Sequence, residues 1–178
     1  MNRHPGGEAH TRRLLELAAL PPGARILDLG AGDGESLRLL RALGCQAEGL
    51  DLAPRSELVR QGDLLRTGLL DGSLDAVLSQ CAFFVSGDQP GALAEAYRLL
   101  KPGGTLLLSD VFFTEPAPLL QAAGFRLVHA EDMTAQWKEY YIEALWRGDA
   151  EPCGCPLPRG RCRYWLLIAR KDEENGPV

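Results

Sequence analysis

Arg25-Ile26-Leu27-Asp28-Leu29-Gly30-Ala31-Gly32-Asp33-Gly34 joins a buried strand to a tight turn in one short run. After Arg25, Ile26 to Leu29 is apolar except for Asp28, and the shortness of the run favours a strand over a helix. Gly30, Gly32 and Gly34 then alternate at spacing two. Glu35 to Leu43 has helical periodicity and is closed by Gly44, and Cys45 to Leu52 returns as a second strand. This is a βαβ unit, whose natural setting is a parallel sheet covered by helices on both faces.

Working outward, Thr11 to Leu20 reads as a helix with Thr11 as its N-cap, ended by Pro21-Pro22-Gly23. After Asp51 the chain is short. Ala53 to Glu57 leaves little room for a crossover helix before a third strand at Leu58 to Gln61. Leu74 to Gln80 is a fourth strand and Gly91 to Leu100 an amphipathic helix, broken by Lys101-Pro102-Gly103-Gly104. Thr105 to Ser109 is a fifth strand, Leu119 to Ala123 a short helix, and Phe125 to His129 a sixth strand. Met133 to Trp146 reads as a helix with an aromatic face and Arg163 to Arg170 as the last strand. Residues 1–178 are expected to form one domain, with 171–178 a frayed tail.

The turn's chemistry follows from its backbone. Glycine permits close approach of a ligand, and the helix starting near Glu35 points free N–H groups at it. A pyrophosphate, a phosphate or the carboxylate of an amino acid would suit. Asp51, at the end of the second strand, can accept both hydroxyls of a ribose. Asp28 can meet the ammonium of an amino-acid ligand, directly or through water, or bond the turn amides. The dinucleotide fingerprint G-x-G-x-x-G is not met, because Glu35 stands where its third glycine belongs. This disfavours a nicotinamide-dependent oxidoreductase.

Several segments in order carry a resemblance. Asp28-Leu29-Gly30-Ala31-Gly32-Asp33-Gly34 resembles the first motif of class I S-adenosylmethionine (SAM)-dependent methyltransferases, and Gly49-Leu50-Asp51-Leu52 their second-strand motif. Gln61-Gly62-Asp63-Leu64 resembles the adenine-contacting motif and Leu74 to Gln80 the fourth-strand motif. Leu99-Leu100-Lys101-Pro102-Gly103-Gly104-Thr105-Leu106 resembles the passage before strand five. The resemblance covers roughly residues 20–130. It implies a doubly wound, Rossmann-like α/β fold. Its seven-stranded sheet is mostly parallel with an antiparallel last strand, and here the crossover after the second strand is shortened.

The resemblance also implies a site. SAM would be held by Asp28, Gly30, Ala31, Gly32, Gly34, Asp51, Leu52, Asp63, Leu64, Ser79 and Gln80. Asp63 would accept from the adenine amino group, and the Leu64 amide would face a ring nitrogen. Cys81 and Ala82 would lie beside the methyl group, with Phe83 and Phe84 walling the acceptor pocket. Asp110 and His129, read as ending strands five and six, are the candidate bases, with a loop cap and a satisfied histidine as their plainer readings. Trp137, Tyr140, Tyr141, Leu145 and Trp146 form a stripe that reads as core or as an acceptor-pocket wall. Residues 1–10 are either a frayed terminus or a lid, from which Thr11, Arg12 or Arg13 would reach the ligand's carboxylate.

Composition bounds the rest. The net charge of −5 gives no electrostatic footprint for nucleic acid. No apolar run has membrane-spanning length, and Met1-Asn2-Arg3-His4-Pro5 has no apolar signal core, so a cytoplasmic protein is expected. The five cysteines, an odd number, argue against a disulfide framework. Cys153, Cys155 and Cys162 offer three thiols, and structural zinc wants four ligands, so no metal is assigned. The expected function is methyl transfer to a small-molecule acceptor by a monomer or homodimer. The alternative is a protein of the same fold that binds SAM or a nucleoside without catalysis, in a regulatory or assembly role.

Overall fold

A computed structural model describes residues 4–149 and 160–173. Its strands are β1 (Arg25–Leu29), β2 (Gln46–Asp51), β3 (Arg60–Gln61), β4 (Leu74–Gln80), β5 (Leu100–Phe112), β6 (Phe125–Asp132) and β7 (Arg163–Lys171). They form one sheet in the order β3-β2-β1-β4-β5-β7-β6. β7 runs antiparallel to both β5 and β6, and the other neighbours described are parallel. The helices are α1 (Gly7–Ala18), α2 (Glu35–Ala42), α3 (Gln89–Leu99), α4 (Pro116–Ala122) and α5 (Thr134–Trp146). The strand order reverses between β1 and β4. In such sheets the crevice at the carboxyl ends beside that reversal is where ligands bind.

Both faces of the sheet are covered, and strand alternation assigns side chains to them. Leu27, Leu29, Val77, Leu106, Leu108 and Leu167 pack with Leu93 and Leu99 of α3 on one face. Ile26, Leu78, Leu107, Leu166 and Ile168 pack with Leu14 of α1 and with Leu37 and Leu40 of α2 on the other. A smaller aromatic cluster of Val111, Trp137, Tyr141 and Tyr164 lies where α5 meets the end of β5.

The shortened crossover is present: no helix separates β2 from β3. The Arg55 amide instead donates to the Gly32 carbonyl at 2.9 Å, drawing this segment onto the glycine turn. α5 and β4 match their expected spans closely. Other boundaries need correction. α1 starts at Gly7 with Gly6 as its N-cap, so Thr11 is a buried interior residue and not the cap. α1 ends at Ala18, where left-handed Ala19 donates back to Leu15 before Pro21 is reached. β3 is reduced to Arg60 and Gln61. β5 runs through Lys101-Pro102-Gly103-Gly104 and on to Phe112, because a register shift against β4 absorbs the extra residues. β7 includes Lys171, whose Nζ donates to the carbonyls of Tyr97 and Leu100. Among the described residues no helix is long and apolar enough to cross a membrane.

Candidate functional site

The glycine turn hangs from the end of β2. The amides of Gly30 and Ala31 both donate to the Leu50 carbonyl, at 2.8 and 3.1 Å. Gly30 has φ 85°, and a Cβ added to it would lie 2.2 Å from the Ala82 Cβ. Only glycine lets the first turn after β1 pass so near the turn after β4. Gly32 donates to Asp51 Oδ2 at 2.9 Å, and Ala53 donates to Asp51 Oδ1 at 2.9 Å. The Asp51 carboxylate is thereby fixed at the crevice, and the remaining lone pairs stay available. Arg55, which the sequence reading missed, lays its guanidinium over this turn: a Cβ at Gly32 would be 2.7 Å from its Nη2.

Asp28 is 3% exposed, and no hydrogen-bond donor among the described residues reaches its carboxylate. Burial, then the nearby Asp51, pushes its pKa up to about 7. A buried carboxylate beside a second one is the environment a cation relieves most. Asp63 sits farther out, accepting from the Leu65 amide at 2.8 Å. Leu64 packs partly buried against the core, and Leu52 is largely exposed.

Gln80 is the hub of the crevice. Its Oε1 accepts from Thr11 Oγ1 at 3.1 Å and Ser36 Oγ at 3.3 Å, and its Nε2 lies 3.4 Å from His4 Nδ1. The start of α1, the start of α2 and the end of β4 are thus tied together. His4 is covered enough that burial lowers its pKa despite Glu35 and Asp33 nearby. Ser79, in contrast, is fully buried and donates to the Leu29 carbonyl at 2.9 Å. Its hydroxyl joins β4 to β1 and is not presented to the crevice.

Beyond Gln80 the chain turns sharply. Cys81 is a non-glycine residue at φ 60°, a strained conformation of the kind that collects at functional sites. Its Sγ lies 3.3 Å from the Tyr164 hydroxyl. The Tyr164 ring stacks on Trp137, with centroids 6.1 Å apart and planes at 3°, and Trp137 meets Tyr141 at 5.1 Å. Trp137 and Tyr141 also line a cavity of about 770 Å³, with Phe112, Phe113, Ile142 and Leu145 among its other walls. Tyr140 packs partly buried beside Tyr141, and Phe84 meets Phe113 at 5.8 Å.

Four expectations need revision here. Phe83 is fully buried in the core on the α3 face, so it does not wall a pocket with Phe84. That placement came from the resemblance; beyond the sharp turn at Cys81 this ring enters the core instead. Asp110 is fully buried and clamps the backbone: Oδ2 accepts from the Phe84 amide at 3.0 Å and Oδ1 from Val111 at 2.8 Å. Burial pushes its pKa to about 7 against those bonds. It holds the turn after β4, in line with its plainer reading. β6 continues past His129, which pairs with Ile168 at the level of Leu107, and Asp132 is the β6 residue level with Asp110. His129 is therefore mid-strand on the sheet's edge, 3.5 Å from Glu131, and not at the carboxyl end. Trp146 is 86% exposed and leaves the aromatic stripe. Cys162 packs partly buried against the aromatic cluster, and burial pushes its thiol up. Cys153 and Cys155 lie outside the described residues.

Comparison with known proteins agrees with this geometry. Residues 27–108 match the model of a methyltransferase domain family. The chain is 36% identical over 109 residues to a malonyl-[acyl-carrier protein] O-methyltransferase of Serratia marcescens, covering 56% of this chain and 43% of that protein. It is 36% identical over 119 residues to an arsenite methyltransferase of Aquipseudomonas alcaligenes, covering 53% and 34%. It thus spans less than half the length of these curated relatives. In fold it is similar to phosphoethanolamine N-methyltransferase 2 of Haemonchus contortus, solved with SAM, at a TM-score of 0.73 and 20% identity. That match covers 96% of this chain and 54% of the other. Residues 27–108 are thus similar to a methyltransferase domain of the class I SAM-dependent type, and SAM is the cofactor that goes with its glycine turn.

Proposed function

We propose that this protein transfers the methyl group of SAM to a small-molecule acceptor by in-line displacement, with catalysis mainly through positioning. The observation that carries the reading is a junction: Gln80 faces the glycine-turn crevice, and the next residue, Cys81, reaches Tyr164 in the aromatic cluster. Trp137 and Tyr141 of that cluster line the cavity. Its volume of about 770 Å³ falls in the range of about 300–1,000 Å³ usual for small-molecule sites.

SAM, when bound, supplies a methyl group on a cationic sulfur. On this reading Asp28 balances the ligand's ammonium, and the amides at Ala31, Gly32 and Gly34 border its amino-acid end. Asp51 accepts from the ribose hydroxyls, while Leu52, Asp63 and Leu64 border the adenine. Gln80 closes the crevice against water through Thr11, Ser36 and His4. Holding donor and acceptor in line lowers a barrier by about 7–11 kcal/mol without a reacting side chain. The relatives' names span malonyl-[acyl-carrier protein] and arsenite, so neither substrate is transferred to this chain. On the same reading the protein is cytoplasmic and acts as a monomer or homodimer.

The test is transfer of tritiated methyl from SAM to a cell extract separated by molecular size. Label in the low-mass fraction is expected. Label confined to protein or nucleic acid would overturn the acceptor class. SAM binding with no transfer to any fraction would favour the non-catalytic alternative.

A further inference from the structure

We infer that His10 contacts the methyl acceptor and receives its proton, and that the acceptor is therefore a hydroxyl or a thiol. The inference rests on the methyl-transfer reading above. His10 lies on the buried face of α1 and is 5% exposed. Its ring meets the Tyr164 ring edge-on, with centroids 6.1 Å apart and planes at 66°. The Tyr164 hydroxyl is the group that reaches Cys81, and the neighbour of His10, Thr11, is the group that reaches Gln80. His10 thus sits beside the junction: its ring meets Tyr164 of the aromatic cluster, and the next residue along α1 bonds Gln80 of the donor crevice.

Packing alone does not explain a histidine there. His10 Nε2 is buried and has no hydrogen-bond partner among the described residues. A buried polar atom left unpaired is unfavourable, and an aromatic hydrocarbon would fill the same space without that penalty. The backbone makes room for this ring: a Cβ at Gly6 would lie 2.8 Å from the His10 Cβ and 2.9 Å from its Nδ1.

The charge balance fits the donor. Burial, then His4, lowers the His10 pKa to about 4, against an opposing pull from Glu131. An uncharged imidazole does not repel a sulfonium. During transfer the acceptor X–H forms a bond from X to the methyl carbon, and the carbon–sulfur bond breaks with its electron pair left on sulfur. The X–H proton passes to Nε2. The positive charge leaves the sulfonium and ends on the imidazolium, so total charge is conserved. A methylated oxygen or sulfur that still carries its proton is a far stronger acid than imidazolium, so even a weakly basic imidazole accepts that proton. A methylated amine is a stronger base than His10 and would keep its proton, so this residue serves no amine acceptor.

His10→Phe and His10→Asn test the role. Both are compared with the unaltered protein in three measurements: S-adenosylhomocysteine affinity by calorimetry, thermal melting, and tritiated-methyl transfer from SAM to the small-molecule fraction of a cell extract. For His10→Phe the expected result is a melting temperature no lower than the parent, affinity within threefold, and transfer reduced by roughly 100-fold or more. His10→Asn keeps a polar group that cannot take the proton, and is expected to lose transfer similarly. Transfer within threefold of the parent in either variant overturns the inference. So does a loss of transfer that only tracks lost affinity and melting temperature in both variants, which marks a structural role. Product analysis is expected to place the label on oxygen or sulfur, and label on nitrogen overturns the acceptor class. A parent protein that transfers no label overturns the underlying methyl-transfer reading, and the role of His10 with it.

Discussion

Two buried acids in this molecule are treated in opposite ways. Glu95, on α3, is 9% exposed and saturated with donors. It accepts from the Thr67 hydroxyl at 2.6 Å, the Thr67 amide at 2.9 Å, and Arg98 Nη2 and Nε at 2.7 and 2.8 Å. Arg98 first, with Thr67, holds its pKa down to about 2 against burial. Asp28, on β1, is 3% exposed, and the charged neighbour that acts on it among the described residues is Asp51, which raises its pKa further. The first arrangement stabilises the fold, fastening α3 to the loop before β4. The second costs stability until a cation arrives. The difference separates a group kept for structure from one kept for a ligand.

Asp28→Asn should break the comparison most sharply. SAM affinity is expected to fall by roughly 10- to 100-fold, the worth of a charge-assisted contact, while the free protein becomes more stable at pH 7. The sign follows from proton linkage. Asp28 holds its proton up to about pH 7 in the folded chain and loses it near pH 3.8 when unfolded. Unfolding releases a proton between those values, so this residue makes stability fall as pH rises from about 4 to 7. Denaturant melts of both proteins across that window should show the slope in the parent and not in the Asn variant.

Gly30→Ala comes next. Its Cβ would meet the Ala82 Cβ at 2.2 Å in a left-handed backbone. A loss of about 2–3 kcal/mol in urea unfolding is expected, with weakened SAM binding.

Glu95→Gln should cost about 2 kcal/mol and leave SAM affinity within threefold. Its pH dependence runs the other way. The folded pKa of about 2 lies below the ordinary value of 4.5, so the stabilisation is present above pH 4.5 and lost as pH falls toward 2.

The smallest effect is that of Thr11→Val. It removes one of the donors to Gln80 Oε1. A loss of up to about 1 kcal/mol, or roughly fivefold in SAM affinity by calorimetry, is expected.

What could be read from sequence was what lies close together along the chain. The glycine turn, Asp28 and Asp51 belong to one βαβ unit, so their spacing carries their geometry. The antiparallel last strand was carried by family resemblance. The acceptor side depends on contacts between distant segments. His10 gains its setting from Tyr164 on β7, and no local pattern links the two. Phe83 was assigned to the pocket by resemblance, and its burial becomes visible only once the turn at Cys81, with its positive φ, is folded. Asp110 had the residue type of a base, but its partners, the Phe84 and Val111 amides, become visible only once the turn after β4 is folded beside it. His129 was set at a strand end because the polar residues after it look like a loop, whereas β6 continues on the sheet edge to Asp132.

Calorimetric titration of the unaltered protein with SAM, and separately with NADH, tests the central claim most directly. The account predicts saturable binding of one SAM per chain and no detectable heat with NADH. Binding of NADH in place of SAM would contradict it.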